Sequence, residues 1–299
     1  MNTEAIVRVS SVIPACRAKD RARAAVDRVS VPGLASAVSV RARAAGVTLA
    51  APTAAPYGHR TIQQRDTYTM TDIEIETPAG SIDAVLEVPS GEGPWPGVVV
   101  IHDAFGLRAP HREIARRIAD AGFLAVAPNL FARGGVIRCM QKVMSDLMAY
   151  EGRSFDDIAA ARELLTSRPD CTGAIGIAGF CMGGGFALVA VTKGFAASAP
   201  FYPPPLQSKY AEIVDGGCPV VASFGERDRL NRNSGRRLEE VLTQKGIPYD
   251  VKTYPKTGHS FADRAPVQAL ARVTGFGENK EAAEDAWQRV FGFFNQHLR

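Results

Sequence analysis

Gly179-Phe180-Cys181-Met182-Gly183 follows directly on the apolar run 174–178. A cysteine set between glycines, where a buried strand runs out and a helix begins, has the shape of a nucleophile elbow. In such a turn one side chain is presented on a strained backbone, and its neighbours two positions away must be small so that chain segments can approach. The amide of Met182, at the start of the helix, then points toward the sulfur. Helix N-terminal amides favour negative charge, so the place suits both a thiolate and an oxyanion. Asp228 lies 47 residues after Cys181, and His259 lies 31 residues after Asp228. Nucleophile, acid, histidine is the chain order this turn requires. In that arrangement His259 serves as base and then acid, while Asp228 holds its ring and tautomer. A second oxyanion donor is expected just after the first buried parallel strand, at the amide of Ala104. Bland readings stand beside these. Cys181 as an inert core thiol leaves its flanking glycines unexplained, Asp228 could cap a turn before Asn233 and Ser234, and His259 could be structural. His102 and His111 read as structural or surface histidines.

Reactive residues at strand ends need strands to end together. From Met70 onward the pattern is regular. Alternation over 73–77 and 82–88, around Pro78-Ala79-Gly80-Ser81, predicts a hairpin. The β-branched run 97–101 predicts a strand buried on both faces. Helix patterns follow over 111–121, 155–167, from 183, and over 234–245 and 281–297. Strands are predicted at 123–127, 174–178, 196–202, 220–225 and 250–254. An antiparallel start followed by strand–helix units gives a mostly parallel sheet covered by helices on both faces. Ligands in such sheets sit outside the carboxyl ends of the strands, where Cys181, Asp228 and His259 all fall. Tyr202, at the end of its strand, is placed to line the same pocket.

Of 299 residues, 46% are hydrophobic and 22% charged, and no apolar run reaches the length of a membrane span. The net charge of +4 is uneven. Residues 1–69 hold ten Arg/Lys against four Asp/Glu, and the remainder 25 against 27. The near-neutral body has no electrostatic footprint for nucleic acid. Residues 1–69 lack sustained periodicity and nearly lack aromatics, so they predict no packed domain. An upstream start site, a disordered tail and a transit segment all fit, and residues 70–299 are expected to form a single domain. The five cysteines show no CxxC pair and no zinc spacing; their odd number fits a reducing, cytoplasmic setting better than a disulfide framework. No metal or organic cofactor is required by the predicted chemistry.

The segments His102-Asp103-Ala104-Phe105-Gly106-Leu107, Asn129-Leu130-Phe131-Ala132-Arg133, Gly179-Phe180-Cys181-Met182-Gly183-Gly184 and Gly258-His259-Ser260-Phe261 resemble the dienelactone hydrolase family of α/β-hydrolases. The resemblance covers roughly residues 71–299. It implies the α/β-hydrolase fold and a Cys-His-Asp triad that hydrolyses small lactones or esters through a thioester. It also implies a thiol-activating carboxylate at Asp103, where the family usually has glutamate, and two arginines for a substrate carboxylate. One of these is Arg133, which could instead be a solvated loop residue. The second would fall at Asp263, which leaves Arg264 beside it as the substitute. The expected partner is a small lactone or ester, with no nucleic acid or membrane, in a monomer or weak homo-oligomer. A general carboxylesterase is the alternative within enzymes. A non-catalytic ligand binder or thiol sensor on the same fold is the alternative outside them.

Overall fold

The protein, seen in a computed structural model, is described for residues 71–262, 277 and 279–299. The predicted hairpin is β1 (Thr71–Ile75) and β2 (Ile82–Glu87), paired antiparallel with Ile75 opposite Ile82. Then follow β3 (Trp95–Ile101), β4 (Leu124–Pro128), β5 (Cys171–Phe180), β6 (Ala197–Phe201), β7 (Val220–Gly225) and β8 (Tyr249–Tyr254). These eight strands form one sheet in the order β1-β2-β4-β3-β5-β6-β7-β8. Strand β2 meets β4 antiparallel, and every pairing from β4 to β8 is parallel. The expected α/β-hydrolase architecture, mostly parallel with an antiparallel start, is therefore observed.

Val98, Val99, Val100 and Ile101 are all fully buried, with alternate residues in two separate apolar clusters. That is why β3 reads as an unbroken β-branched run: both of its faces are interior. One cluster lies under α2 (Gly135–Ala149), α3 (Arg153–Thr166), α4 (Met182–Val189) and α6 (Ser234–Lys245); the short α5 (Tyr210–Ile213) joins it. The other lies under α1 (Ala109–Asp120) and α7 (Lys280–Leu298). Asn279 caps α7, its side chain accepting from the amide of Ala282 at 3.2 Å. Among the described residues no helix is long and apolar enough to cross a membrane.

The chain leaves β3 for β4 on one side and returns to β5 on the other, so the sheet order reverses at β3. In sheets of this kind ligands sit at such a reversal, outside the strand ends, and the loops after β3 and β5 both start from there. Helix α2 was not predicted. Its apolar residues point both ways, Ile137 lying 95% exposed while Val143 and Leu147 are buried, and Gly134-Gly135 at its start reads as a break. The buried Asp146 of α2 accepts from Lys142 and from the amide and hydroxyl of Ser154, so it caps α3 from outside.

Glu87, the last residue of β2, is fully buried, and among the described residues neither carboxylate oxygen has a hydrogen-bond partner. Burial raises its pKa, opposed by the charges of Arg116 and Arg112. A raised native pKa means that the folded chain holds this proton more tightly than the unfolded chain. The group therefore costs stability once pH climbs above the ordinary carboxylate range, and the cost disappears as pH falls back. Glu87→Gln is expected to stabilise the fold by about 1 kcal/mol near neutral pH, with the gain vanishing in acid. Urea titrations at two pH values check this, and destabilisation at neutral pH would contradict it.

Candidate active site

Cys181 links β5 to α4 at φ 51°, ψ −116°, a region that L side chains rarely adopt. Its amide donates to the carbonyl of Phe201 at 3.1 Å, and its carbonyl accepts from Gly185. The surrounding glycines are explained by contact. A Cβ on Gly179 would overlap the carbonyl of Gly183 and lie 2.9 Å from the amide of Gly184. One on Gly183 would overlap the carbonyl of Ile101 and sit 2.5 Å from that of His102. One on Gly184 would sit 2.5 Å from the carbonyl of Phe201. Helix α4 is thus wedged against the main chain at the ends of β3, β5 and β6. Met182 supplies the first N–H of α4, which has no carbonyl of its own helix to bond.

Asp228 and His259 are carried by the turns after β7 and β8. These turns are tied together: Arg227 N–H donates to Thr257, Glu226 N–H to Tyr254, and Lys256 N–H to the Glu226 carboxylate. Gly225 must be glycine for the same reason, since a Cβ there would sit 2.6 Å from the carbonyl of Thr257. His259 is 2% exposed, and its Nδ1 lies 2.6 Å from Asp228 Oδ2. The carboxylate also accepts from Leu230 N–H at 3.0 Å and Asn231 Nδ2 at 2.7 Å. Burial pushes the Asp228 carboxyl up, but the hydrogen bonds from His259, Asn231 and Leu230 outweigh it and hold it below the usual range. Burial likewise opposes charge on His259. The hydrogen bond to Asp228, with the hydrogen bonding and charge of Cys181, overcomes this and pushes its pKa up to about 10. The imidazole is thus held by a carboxylate and influenced by the thiol of Cys181, which is half-buried. That arrangement can move a proton between sulfur, ring and a third party. Tyr202 packs its ring 5.0 Å from that of His259.

The loop after β3 brings Ala104 to the same edge. His102 is fully buried; its Nδ1 donates to the Asp103 carbonyl at 2.7 Å and its Nε2 accepts from Leu130 N–H at 3.1 Å. Burial lowers its pKa, and both bonds fit the neutral ring. His111 accepts from Asp103 N–H at 3.3 Å, and burial takes its pKa down to about 3.

Three expectations meet a different placement. The Asp103 carboxylate is engaged elsewhere, accepting from Phe105 N–H at 2.8 Å and from Arg108 at 2.9 Å, and among the described residues it makes no hydrogen bond to Cys181. A shorter side chain after β3 turns back on its own loop, so its expected thiol-activating role has no contact behind it. Arg133 is spent structurally: its guanidinium binds both oxygens of the buried Asp157, Thr77 Oγ1, and the carbonyls of Ala79 and Gly80. It staples the β1–β2 turn to α3 and has no geometry left for a substrate carboxylate. Arg264, with Asp263, lies outside the described residues, as do residues 1–69. Two polar residues escaped the sequence reading. Asn231 supports Asp228 from three positions on, and Arg108 pairs with Asp103 from five positions on. Short spacing from a candidate carboxylate was the available signal for both. Among the described residues no cluster of three His, Cys, Asp or Glu side chains could hold a metal ion.

Comparison with known proteins places the fold in a family. The carboxymethylenebutenolidase of Rhodococcus opacus is 28% identical over 240 residues, covering 74% of this chain and 89% of its own. That of Pseudomonas putida is 27% identical over 200 residues, covering 64% and 85%. Among solved structures, a dienelactone hydrolase from Anabaena variabilis superposes with a TM-score of 0.57 at 18% identity, covering 78% of this chain and 99% of its own. A dienelactone hydrolase-like promiscuous phosphotriesterase from metagenomic libraries gives 0.64 at 22%, covering 78% and 99%. The model of the dienelactone hydrolase family matches residues 82–298. A match that begins with β2 and ends with α7, on a fold that gathers a thiol, an imidazole and a carboxylate at one edge, makes this chain a hydrolase of the dienelactone hydrolase family.

Proposed function

We propose that the chain cleaves small lactones or esters, of the carboxymethylenebutenolide type, through a Cys181–His259–Asp228 triad and a thioester intermediate. The observation that carries this reading is His259, bonded to Asp228 at 2.6 Å on one side and interacting with Cys181 on the other. The Cys181 sulfur, its proton held on His259, attacks the carbonyl carbon. The developing oxyanion takes hydrogen bonds from the amides of Met182 and Ala104. Collapse breaks the acyl–oxygen bond, and His259 returns the proton to the departing oxygen. A water then gives its proton to His259 and attacks the thioester; the acid leaves and the sulfur is restored. Asp228 keeps its charge throughout, orienting the ring and stabilising the imidazolium.

Sulfur chemistry selects the substrate. A thiolate leaves a tetrahedral intermediate more readily than an alkoxide, so an ordinary ester tends to return to starting material. An enol leaving group reverses that preference. Small enol-lactones are therefore the favoured class, which agrees with the name of the relatives from Rhodococcus and Pseudomonas.

Acid quenching during turnover of p-nitrophenyl acetate, followed by peptide mass spectrometry, is expected to find the acetyl group on Cys181. Prior alkylation of Cys181 by iodoacetamide should remove turnover in step with modification. Full activity in the alkylated protein would end the thioester reading. Equal kcat/KM for enol-lactones and unactivated alkyl esters would favour a general carboxylesterase instead.

A further inference from the structure

The donors of an oxyanion hole act by direction as much as by presence, and the Ala104 N–H belongs to the same planar peptide as the Asp103 carbonyl. In a trans peptide these two groups point in opposite directions, so whatever fixes the carbonyl also aims the amide. Here the carbonyl is held twice, by His102 Nδ1–H at 2.7 Å and by Gly106 N–H at 3.2 Å. His102 cannot turn, because it is fully buried and its other nitrogen accepts from Leu130 N–H. The preceding peptide is pinned by the Asp103 N–H to His111 bond, and the one after Ala104 by the Asp103 carboxylate bond to Phe105 N–H. Arg108 holds the far oxygen of that carboxylate at 2.9 Å. On the other side, α4 bears directly on the Ile101 and His102 carbonyls through Gly183, which ties this loop to the elbow that carries Cys181.

We propose that His102 and the Asp103 side chain are positioning residues that aim the Ala104 N–H at the reacting carbonyl, and that the Asp103 carboxylate is not the proton acceptor of the thiol. The inference rests on the thioester reading above. The two roles make different demands on Asp103. A proton acceptor must be a carboxylate beside the sulfur, whereas a loop clamp needs only an acceptor for Phe105 N–H. Alkylation separates them further, since iodoacetamide reacts with the thiolate by displacement at carbon and forms no oxyanion.

The experiment measures p-nitrophenyl acetate turnover and the rate of Cys181 alkylation by iodoacetamide in Asp103→Ala and Asp103→Asn. In Asp103→Ala, kcat should fall about 100-fold, with KM and the alkylation rate within about threefold of the parent. Asp103→Asn keeps the acceptor and loses only the ionic partner of Arg108, so its kcat should fall by no more than about tenfold. Alkylation slowed in step with turnover, or equal losses in the two variants, would overturn the inference. So would an Asp103→Ala protein turning over within threefold of the parent. Should Asp103→Ala fail to fold, His102→Asn replaces it. Its amide keeps a donor near the position of Nδ1, so a kcat loss of no more than about tenfold with normal alkylation is expected, and slowed alkylation counts against the inference. Parent turnover that survives complete alkylation of Cys181 would sink the thioester reading and this inference with it. Slowed alkylation in Asp103→Ala, where parent turnover does depend on Cys181, sinks the inference alone.

Discussion

Cys181→Ala is expected to lower kcat for p-nitrophenyl acetate by at least about 10⁴-fold while leaving the chain folded. The loss should be that large because the remaining groups, two amides and an imidazole, can assist water but cannot supply the acyl acceptor. Removing the sulfur has a second consequence at His259. Part of what pushes its pKa up to about 10 is hydrogen bonding and charge from Cys181, so the variant should titrate at lower pH, as read by NMR of the ring protons. The stability profile follows from the sign. A histidine whose native pKa lies above its ordinary 6.5 contributes stability that is complete below 6.5 and is lost as pH rises through about 10. In Cys181→Ala that loss should still begin near 6.5 but end at lower pH, so that less stability is lost in all. Turnover within tenfold of the parent, or an unmoved His259 titration, would contradict the geometry.

Gly179→Ala is expected to be among the most damaging single substitutions, at about 3 kcal/mol or more of stability together with loss of activity. The added methyl would meet main chain on the facing turn: the carbonyl of Gly183, and the amide of Gly184 at 2.9 Å. No rotamer change relieves that overlap. Helix α4 would have to back away from β5, taking the Met182 amide and the bend at Cys181 with it. Gly292→Ala is the matched control. It lies inside α7 with nothing within 4 Å of the added carbon, so it should be neutral or stabilising by about 0.5–1 kcal/mol. Comparable unfolding midpoints for the two variants would refute the wedge.

The central strands were legible because burial on two faces leaves a plain mark, as in Val98-Val99-Val100-Ile101. Cys181 was legible because the backbone beneath it is unusual and asks for glycine nearby, at 179 and 183, and His259 because it follows a strand in the chain order that such an elbow requires. Helix α2 was not, since its exposed Ile137 and Met148 blur the one-sided pattern that marks a helix. The fate of Arg133 was illegible for a different reason. Its partners are a hairpin turn more than fifty residues earlier and an aspartate on the next-but-one segment, Asp157. Both are common residue types, and only the folded sheet brings them within reach. Asp103 misled by analogy, because one fewer methylene let its carboxylate close on the neighbouring Phe105 amide.

The wedge of glycines carries one more implication. Residue 181 is aimed by main-chain contacts alone, and none of them depends on which element follows its Cβ. Hydroxyl or thiol would leave the turn along the same vector, so the scaffold is indifferent to the choice between oxygen and sulfur. What distinguishes the two is how readily each departs once an acyl group is attached, and selection between them is accordingly made by the reaction and not by the architecture.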